Sequence, residues 1–395
     1  MSTNDPALFM RRALVNGLKQ KGELTDPRLE AAFMAVPRHA FLPGLTLEEA
    51  YADEAVPVKR ETDGTVVSSA SQPGMMAMML RQLRLRPGDN VLEIGTGTGY
   101  NAAIMQHVVG ETGTVTTIEL DLDVAETART NLQRVASGGI RVVTGDGAAG
   151  YAPRAAYDRI IATVGIWDLP AAWERQLKPG GLIVAPLWLD AVQVSAAFQP
   201  QPDGTLYSDS NLPCGFIRLR GAYAGPLVTR RVGAGLLLTS SAAAMMDSAA
   251  LHLLFSEDAE ANLFDIHLSA GHYWQGFLPY CILNLPPGFA FVSYQLVTTQ
   301  PAYGIPGAGF GLIGPGSACF VTYDGRGAAF TFAGPDAFLA LQDALHAWDQ
   351  QGRPGARALR LRLTPLAQAA PEAGGGAVYA RQDHYLHAWQ THDHA

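Results

Sequence analysis

The chain has 395 residues, of which 48% are hydrophobic and 16% charged, and its formal net charge is −8. A single hydrophobic core rarely grows beyond about 300 residues, so this length predicts two folded domains and excludes a largely disordered chain. The acidic balance, without any long basic run, argues against a nucleic acid or an anionic membrane as a partner.

Neither export nor a disulfide framework is indicated. The amino-terminal residues carry charges without an apolar signal core, and no run approaches the roughly 18 apolar residues of a membrane span. The three cysteines, Cys214, Cys281 and Cys319, are too few and too widely spaced for a disulfide framework or a zinc site. We therefore expect a cytoplasmic protein without a metal site.

The first half of the chain predicts helices followed by a parallel sheet. Residues 4–35 have helical apolar spacing with breaks near Gly22 and Pro27, and a further helix is predicted over 75–83. Short apolar strands then alternate with helical segments, at 90–94, 114–118, 140–143, 157–163 and 182–186, with a turn at 178–181 before the last. This alternation predicts βαβ units and an α/β fold.

After about residue 225 the pattern becomes that of a mixed α/β domain. It predicts a hairpin about Asp324-Gly325 and a helix over 336–348, and we interpret the glycine-rich segment 304–316 as turns between strands. The expected domains are an amino-terminal helical substrate segment over 1–75, a cofactor-binding domain over 76–225 and a carboxyl-terminal α/β domain over 226–395.

A glycine-rich turn follows the first strand of the parallel region. Gly95, Gly97 and Gly99 lie between that strand and the next helix, in the sequence Leu-Glu-Ile-Gly-Thr-Gly-Thr-Gly-Tyr. Glycine at such a turn lets backbone N–H groups approach a nucleotide-like ligand. The spacing is not the G-x-G-x-x-G of dinucleotide enzymes, and the turn has no P-loop lysine.

Two acidic residues stand at the ends of the next two strands. Glu119 follows Gly95 by 24 residues, where a carboxylate can accept hydrogen bonds from ribose hydroxyls. Asp146, between Gly145 and Gly147, can take the amino group of an adenine. A glycine turn and two acids at the ends of three successive strands therefore predict a nucleoside-cofactor site.

Residues 91–100 resemble motif one of class I S-adenosylmethionine-dependent methyltransferases, and residues 30–190 resemble protein-L-isoaspartate (D-aspartate) O-methyltransferases. The matching segments are Ala35-Val36-Pro37-Arg38-His39, Phe41-Leu42-Pro43, Ala50-Tyr51 with Asp53, Ser71-Gln72-Pro73, Gly95 to Ala103, Gly145-Asp146-Gly147, Tyr157-Asp158, and Gln176-Leu177 with Pro179-Gly180-Gly181. They follow one another in the family's order. The resemblance implies a Rossmann-like methyltransferase sheet with amino-terminal helices, and S-adenosyl-L-methionine as cofactor.

The resemblance also implies the site residues. The residues expected to bind the cofactor are Glu93, Gly95, Thr96, Gly97, Gly99, Glu119, Asp146 and Gly147. Ser71 is expected to contact the acceptor carboxylate as the catalytic residue, and Ser68, Ser69 and Asp53 to bind substrate with it. Alternatively, Ser71 caps the helix that begins at Pro73, and both roles are compatible because a helix amino terminus is itself a carboxylate site.

The chain departs from the family on the acceptor side. Residues 58–70 form a longer loop than usual, residues 163–168 replace a run of small residues, and about 185 residues follow the family's usual end near residue 210. We therefore expect a carboxyl methyltransferase whose substrate is a peptide or protein bearing aspartate or isoaspartate, in an oligomeric state that the sequence leaves open. Its ester product would lead to a succinimide (aspartimide) or isoaspartate.

Three functional interpretations follow from these features. The longer loop and the extra domain favour a dedicated precursor peptide as substrate, as in peptide natural-product pathways. The first alternative is general repair of isoaspartyl residues in many proteins. The second is a cofactor-binding regulatory protein that no longer transfers methyl groups.

Histidines are concentrated near the carboxyl end, at His384, His387, His392 and His394. A spacing of three could place two of them on one helix face as metal ligands, but no acidic or cysteine partner is ordered around them. We therefore expect a solvated tail at this end of the chain.

Overall fold

The computed structural model describes residues 5–62, 64–135, 137–233, 235–242, 247–256, 258–297, 303–323 and 327–391. The chain divides into two compact units. The first comprises Met1–Pro186, Ser195–Ser208 and Cys214–Ala224, and the second comprises Leu187–Val194, Asp209–Pro213 and Gly225–Ala395. The second unit is thus assembled from three segments of the chain, two of which precede residue 225.

The first unit contains helices and strands in the predicted alternation. Its helices are α1 (Pro6–Gln20), α2 (Pro27–Ala35), α3 (Leu47–Ala50), α4 (Pro73–Leu83), α5 (Tyr100–Val109), α6 (Leu122–Arg134) and α7 (Ala171–Gln176). Its strands are β1 (Val56–Arg60), β2 (Val66–Ala70), β3 (Asn90–Ile94), β4 (Thr114–Glu119), β5 (Ile140–Thr144), β6 (Tyr157–Ala162), β7 (Leu177–Trp188), β8 (Gln193–Pro200), β9 (Leu206–Ser208) and β10 (Asn211–Cys214). Strands β7, β8 and β10 each continue into segments of the second unit.

The strand order of the first unit places the candidate site. The order is β9-β8-β7-β6-β3-β4-β5, and β3 is parallel to both β4 and β6. The chain therefore moves outward from β3 to β5 and returns to the other side of β3 with β6. In parallel sheets, ligands bind at the carboxyl ends of the strands where the order reverses in this way. The glycine turn after β3 lies at that point.

The amino-terminal helices pack on the same core as this sheet. Asp5 and Asp26 cap α1 and α2, each of which begins with a proline whose missing N–H is not needed there. Leu14, Val15 and Leu18 of α1 have helical spacing and are buried with α4 and with β3. These helices thereby hold the segment before the glycine turn against the sheet.

Two short segments of the first unit differ from the prediction. The longer loop is a β-hairpin, in which β1 and β2 pair antiparallel with Val56 opposite Ala70. The turn predicted at 178–181 lies within β7, where the register with β6 shifts between the pairs Tyr157–Leu177 and Arg159–Leu182. Strand β7 continues through residues 178–181, which have no partners in the register with β6.

The second unit contains two antiparallel groups of strands. Its helices are α8 (Ser248–Leu254), α9 (Ala270–His272), α10 (Leu278–Leu283) and α11 (Asp336–Gln350). Its strands are β11 (Val228–Val232), β12 (Leu236–Ser240), β13 (Glu260–Leu263), β14 (Ala290–Leu296), β15 (Ala308–Ile313), β16 (Ala318–Thr322), β17 (Ala328–Phe332), β18 (Leu359–Pro365), β19 (Gly376–Ala380) and β20 (His384–Gln390). One sheet has the order β11-β12-β14-β15-β16-β17-β13, and β20 pairs with both β18 and β19.

The sequence predicted that the glycine-rich segment 304–316 forms turns between strands, and the structure differs from this. The segment includes β15, a buried strand between β14 and β16. Side chains at Gly309 and Gly311 would collide with the carbonyl oxygens of Val321 and Cys319, so glycine is required by close packing. Strands β16 and β17 do pair antiparallel, whereas Asp324 and Gly325 of the predicted turn lie outside the described residues.

The expected solvated tail is also wrong where the structure describes it. His384 and His387 belong to β20, and His384 is only 1% exposed. Pairing on both sides orders this strand, which its histidine content alone did not indicate. His392 and His394 lie outside the described residues. Among the residues that are described, no helix is long and apolar enough to cross a membrane.

Candidate active site

One pocket of the first unit collects most of the predicted site residues. It lies at the carboxyl ends of β3, β4 and β6 and at the amino terminus of α5. Its lining comprises Arg38, 67–71, Met76, 94–98, Tyr100, Asn101, 118–120, Gly147, Thr163, Val164 and 217–220. The predicted residues in this lining are Ser68, Ser69, Ser71, Gly95, Thr96, Gly97, Glu119 and Gly147.

The glycine turn is held against its neighbours by close backbone approaches. Gly95 has φ +95°, and a Cβ there would lie 2.7 Å from the Thr163 hydroxyl, which donates to the Gly95 carbonyl at 2.7 Å. Gly97 has φ +52°, and a Cβ there would lie 3.3 Å from the Ser69 carbonyl oxygen. Both conformations favour glycine. The second approach brings the predicted cofactor turn to the strand that carries the predicted acceptor serines.

Glu119 ends β4 and binds the glycine turn directly. Its Oε2 accepts a hydrogen bond from the Gly97 N–H at 3.0 Å, and its Oε1 accepts from Leu120 and Asp121 at 3.0 and 3.3 Å. Burial raises the pKa of the Glu119 carboxyl, and these three N–H groups oppose the rise. A carboxylate offers about four acceptor positions, so one remains on Oε2 for a hydroxyl group.

Glu93 lies behind the pocket wall and does not line it. The side chain is 0% exposed, accepting from Asn101 Nδ2 at 2.7 Å and from the Thr117 hydroxyl at 2.6 Å. Thr117 in turn shares a hydrogen bond of 2.8 Å with Thr96, which does line the pocket. Burial raises the pKa of Glu93 to about 7, against the two hydrogen bonds that lower it. Its direct contact with the cofactor remains a prediction.

Asp146 follows β5 and braces the loop at residues 221–222. Its Oδ1 accepts from Ala148 at 2.9 Å and its Oδ2 from Ala222 at 3.3 Å. Gly147, the next residue, lines the pocket and its carbonyl accepts from the Trp173 indole at 2.9 Å. Asp146 itself is not among the lining residues, nor is Gly99, the cap residue of α5. The adenine contact of Asp146 therefore stays a prediction.

The predicted acceptor serines occupy or follow strand β2. Ser68, Ser69 and Ser71 all line the pocket. The cap residue of α4 is Gln72, so Ser71 does not occupy the cap position and the helix-cap alternative is wrong. Ser71 is instead held through its backbone, because its carbonyl accepts from Arg38 Nη1 at 3.1 Å.

The structure places Asp53 outside this pocket. Its Oδ1 accepts from the Gly74 N–H in the first turn of α4 at 2.8 Å, and its Oδ2 forms an ion pair with Lys21 at 2.6 Å. A carboxylate at a helix amino terminus is favoured by the exposed N–H groups and by the helix dipole. These contacts support α4, so the position of Asp53 does not favour its predicted role in substrate binding.

Several lining residues were not predicted from the sequence. Arg38 belongs to the quoted amino-terminal signature and Asn101 to the segment after the glycine turn, but neither received a role. Arg220 pairs with Asp121 at 2.5 Å, and Lys59 of β1 reaches the same carboxylate at 3.4 Å. Arg220 and Asp121 are 99 residues apart in the chain. No local periodicity indicates such a pair, because only tertiary packing brings the segments together.

No metal centre or catalytic base emerges from the described geometry. No group of three or more potential metal-ligating side chains occurs among the residues that the structure describes. His39, which follows Arg38 in the amino-terminal signature, does not line the pocket and instead shares a hydrogen bond of 2.8 Å with the Tyr51 hydroxyl.

The residues present fit a nucleoside cofactor. Gly95 and Gly97 let the turn pass close to Thr163 and Ser69, and Glu119 retains an acceptor position beside them. Thr96, Thr98 and the first residues of α5, Tyr100 and Asn101, line the same pocket.

Comparison with known proteins agrees with this geometry. The family model described as protein-L-isoaspartate(D-aspartate) O-methyltransferase (PCMT) matches residues 10–223. The protein-L-isoaspartate O-methyltransferase of Methanopyrus kandleri is 37% identical over 212 residues, which are 53% of this chain and 91% of that protein. The corresponding protein of Hyperthermus butylicus is 38% identical over 221 residues, or 54% of this chain and 89% of that protein.

The fold agrees over a larger part of the chain. A solved structure of a protein-L-isoaspartate O-methyltransferase covers 89% of this chain and 96% of its own, with a TM-score of 0.53 and 24% identity. This similarity confirms the predicted class I methyltransferase fold and extends beyond the residues that the family model matches. The chain therefore belongs to the protein-L-isoaspartate (D-aspartate) O-methyltransferase family, whose methyl donor is S-adenosylmethionine.

Proposed function

We propose that this protein methylates the carboxylate of an aspartyl or isoaspartyl residue in a peptide or protein. One observation carries the proposal: Gly97 approaches the Ser69 carbonyl, so the glycine turn and the serine strand form one pocket. Family membership supports the same reaction class. Glu119, Thr96 and the glycine turn would hold the cofactor, and Ser68, Ser69 and Ser71 the acceptor.

The chemistry asks little of the protein beyond positioning. Bound S-adenosylmethionine supplies a methyl group on a positively charged sulfur. The acceptor carboxylate has an unperturbed pKa of about 4, is ionised at neutral pH and needs no general base. The new O–CH₃ bond replaces an S–CH₃ bond, leaving a neutral ester and a neutral thioether, so no proton moves. The pocket residues orient the carboxylate oxygen and exclude water.

The ester prepares the following rearrangement. Methoxide leaves the ester far more readily than oxide leaves an ionised carboxylate. The backbone nitrogen of the following residue can therefore attack the ester carbon, and methanol is released as the succinimide forms. From an isoaspartyl residue this begins repair. From an aspartyl residue the same step creates an aspartimide, which hydrolyses to aspartate or isoaspartate.

We further propose a dedicated precursor peptide as the substrate. Hairpin β1–β2 supports this, because it rebuilds the acceptor side and two of its serines line the pocket. The second unit would supply the recognition surface for a single peptide partner. Substrate recognition by this unit is part of the proposal.

General repair is the second candidate, and the comparisons favour it. The two relatives described above and the solved structure are all named protein-L-isoaspartate O-methyltransferases. The solved structure matches well beyond residue 223, so a chain of similar extent carries that name. An additional region is therefore not by itself a mark of a dedicated substrate.

A direct comparison of acceptors tests both candidates. Full-length protein is given radiolabelled S-adenosylmethionine with a short isoaspartyl peptide, its aspartyl twin, or peptides encoded beside its gene. Mass spectrometry then follows the methyl ester and the loss of methanol. A dedicated enzyme should modify an aspartyl residue in one encoded peptide and turn over the short isoaspartyl peptide poorly. Robust turnover of the isoaspartyl peptide alone would establish repair, and transfer to no carboxylate would refute both.

A further inference from the structure

We propose that Arg38 is a positioning residue that makes the acceptor site selective for an ionised carboxylate. It is a buried cation that lines the pocket. It lies beside residues 71–72, which join β2 to α4 and are called the acceptor turn below. The inference rests on the proposed carboxyl methylation and names the source of its selectivity for a charged acceptor over a neutral amide.

The burial of Arg38 without an acidic partner is the first observation. Its side chain belongs to a residue that is 0% exposed, and no carboxylate of the described residues forms an ion pair with it. Burying a charge that is not balanced by an opposite one is costly. The charge of Asp53 does act on Arg38, but the oxygens of that carboxylate are bound by Lys21 and by the Gly74 N–H.

The contacts that Arg38 does make fix its position. All three contacts are to backbone carbonyls. Its Nε donates to the Ala50 carbonyl at 2.9 Å, its Nη1 to the Ser71 carbonyl at 3.1 Å and its Nη2 to the Glu54 carbonyl at 3.3 Å. The guanidinium carbon lies 5.3 Å from the centre of the Tyr100 ring. Three carbonyl dipoles and an aromatic face stabilise the cation without neutralising it. Its positive charge is therefore held rigidly at the acceptor turn.

A bound carboxylate would offset this charge, whereas an amide of the same shape would not. Inside a protein two opposite charges interact much more strongly than in water, even when no hydrogen bond joins them. Ser71, whose carbonyl Arg38 holds, lines the same pocket. Arg38 thus fixes the position of the acceptor turn, and its charge makes the acceptor site prefer a negatively charged ligand.

Matched ligands separate these two contributions. Dissociation constants of full-length protein are measured for two peptide pairs, isoaspartyl with isoasparaginyl and aspartyl with asparaginyl, with S-adenosylhomocysteine present. The ratio within a pair cancels any general loosening of the site. Wild-type protein should prefer at least one carboxylate peptide about tenfold or more. Arg38→Lys keeps the charge and should keep most of this preference, whereas Arg38→Gln should reduce it to about twofold or less.

Arg11 offers a matched control. It also donates to backbone carbonyls, those of Met34 and Ala35, but does not line the pocket. Arg11→Gln should therefore leave the ratio unchanged. S-adenosylhomocysteine affinity and melting temperature report whether each variant is folded.

Three results would overturn the proposal. They are wild-type protein without a carboxylate preference, Arg38→Gln with an unchanged ratio, and Arg38→Lys with a ratio near one. If Arg38→Gln does not fold, the Arg38→Lys result decides. Carboxylate preference without methyl transfer to any peptide would refute the proposed function and leave the inference about Arg38 standing.

Discussion

The carboxylate of Glu119 accepts a hydrogen bond from the backbone N–H of Gly97 at 3.0 Å. The residue expected to bind the ribose therefore also holds the glycine turn, and the ends of β3 and β4 are joined through this bond. The other carboxylate oxygen of Glu119 accepts hydrogen bonds from the N–H groups of Leu120 and Asp121. Cofactor affinity and the shape of the turn should consequently depend on the same side chain.

Replacing Glu119 should weaken the cofactor. Glu119→Ala removes a charged acceptor and should cost about 1.5–3 kcal/mol of binding free energy for S-adenosylmethionine. Glu119→Gln should not rescue binding, because its amide N–H₂ must face either the Gly97 N–H or those of Leu120 and Asp121. Isothermal titration measures both variants. Wild-type affinity in Glu119→Gln would show that neither the charge nor the turn contact matters.

Ser71 should affect the acceptor and spare the cofactor. Ser71→Ala removes a hydroxyl from the pocket but leaves the backbone bond to Arg38 in place. Methyl transfer should fall about 10-fold to 100-fold, as for loss of one hydrogen bond to a charged group, while cofactor affinity stays within about twofold. Steady-state kinetics and titration report the two quantities separately. An equal loss of both would indicate a structural role.

Burial of Glu93 should make the stability of the protein depend on pH. Its pKa of about 7 lies above the ordinary value of 4.5, so the folded state holds the proton more tightly than the unfolded state. This contribution is fully present below about pH 4.5 and is lost as the pH rises through about 7. It amounts to about 3 kcal/mol in free energy of unfolding.

Glu93→Gln tests this pH dependence, because glutamine has the same shape and does not ionise. Urea unfolding of both proteins, followed at intervals between pH 4.5 and 8, gives the difference in free energy. The free energy of unfolding of the variant should increase relative to that of the wild type as the pH rises. A constant difference would mean that Glu93 is already ionised at the acidic end.

The ion pair between Arg220 and Asp121 should slow cofactor release. Arg220 lines the pocket, and burial of Asp121 is outweighed by Arg220 and Lys59, which lower the pKa of the Asp121 carboxyl. Pairs that are partly exposed contribute about 0.2–1 kcal/mol, so Arg220→Ala should speed dissociation up to about fivefold. Stopped-flow displacement measures the rate. Lys59→Ala should have a smaller effect, because Lys59 lies farther from Asp121, at 3.4 Å.

The sequence by itself determined the alternation of strands and helices, the glycine turn and the two acids that follow β4 and β5. Periodicity and turn residues act locally, and parallel strands bring their carboxyl ends to one edge of a sheet whatever else the chain does. The predicted location of Gly95, Gly97 and Glu119 in one pocket follows from that geometry alone.

Only the tertiary structure decided which groups face the pocket and which support it. The side chain of Asp53 lies at the amino terminus of α4, that of Glu93 lies in the interior, and that of Arg38 contacts the acceptor turn. The glycines of β15 are set by carbonyl groups of the neighbouring strand, and Arg220 by an aspartate 99 residues away. Such contacts arise between segments that pack after their local structures form, so no spacing within either segment encodes them.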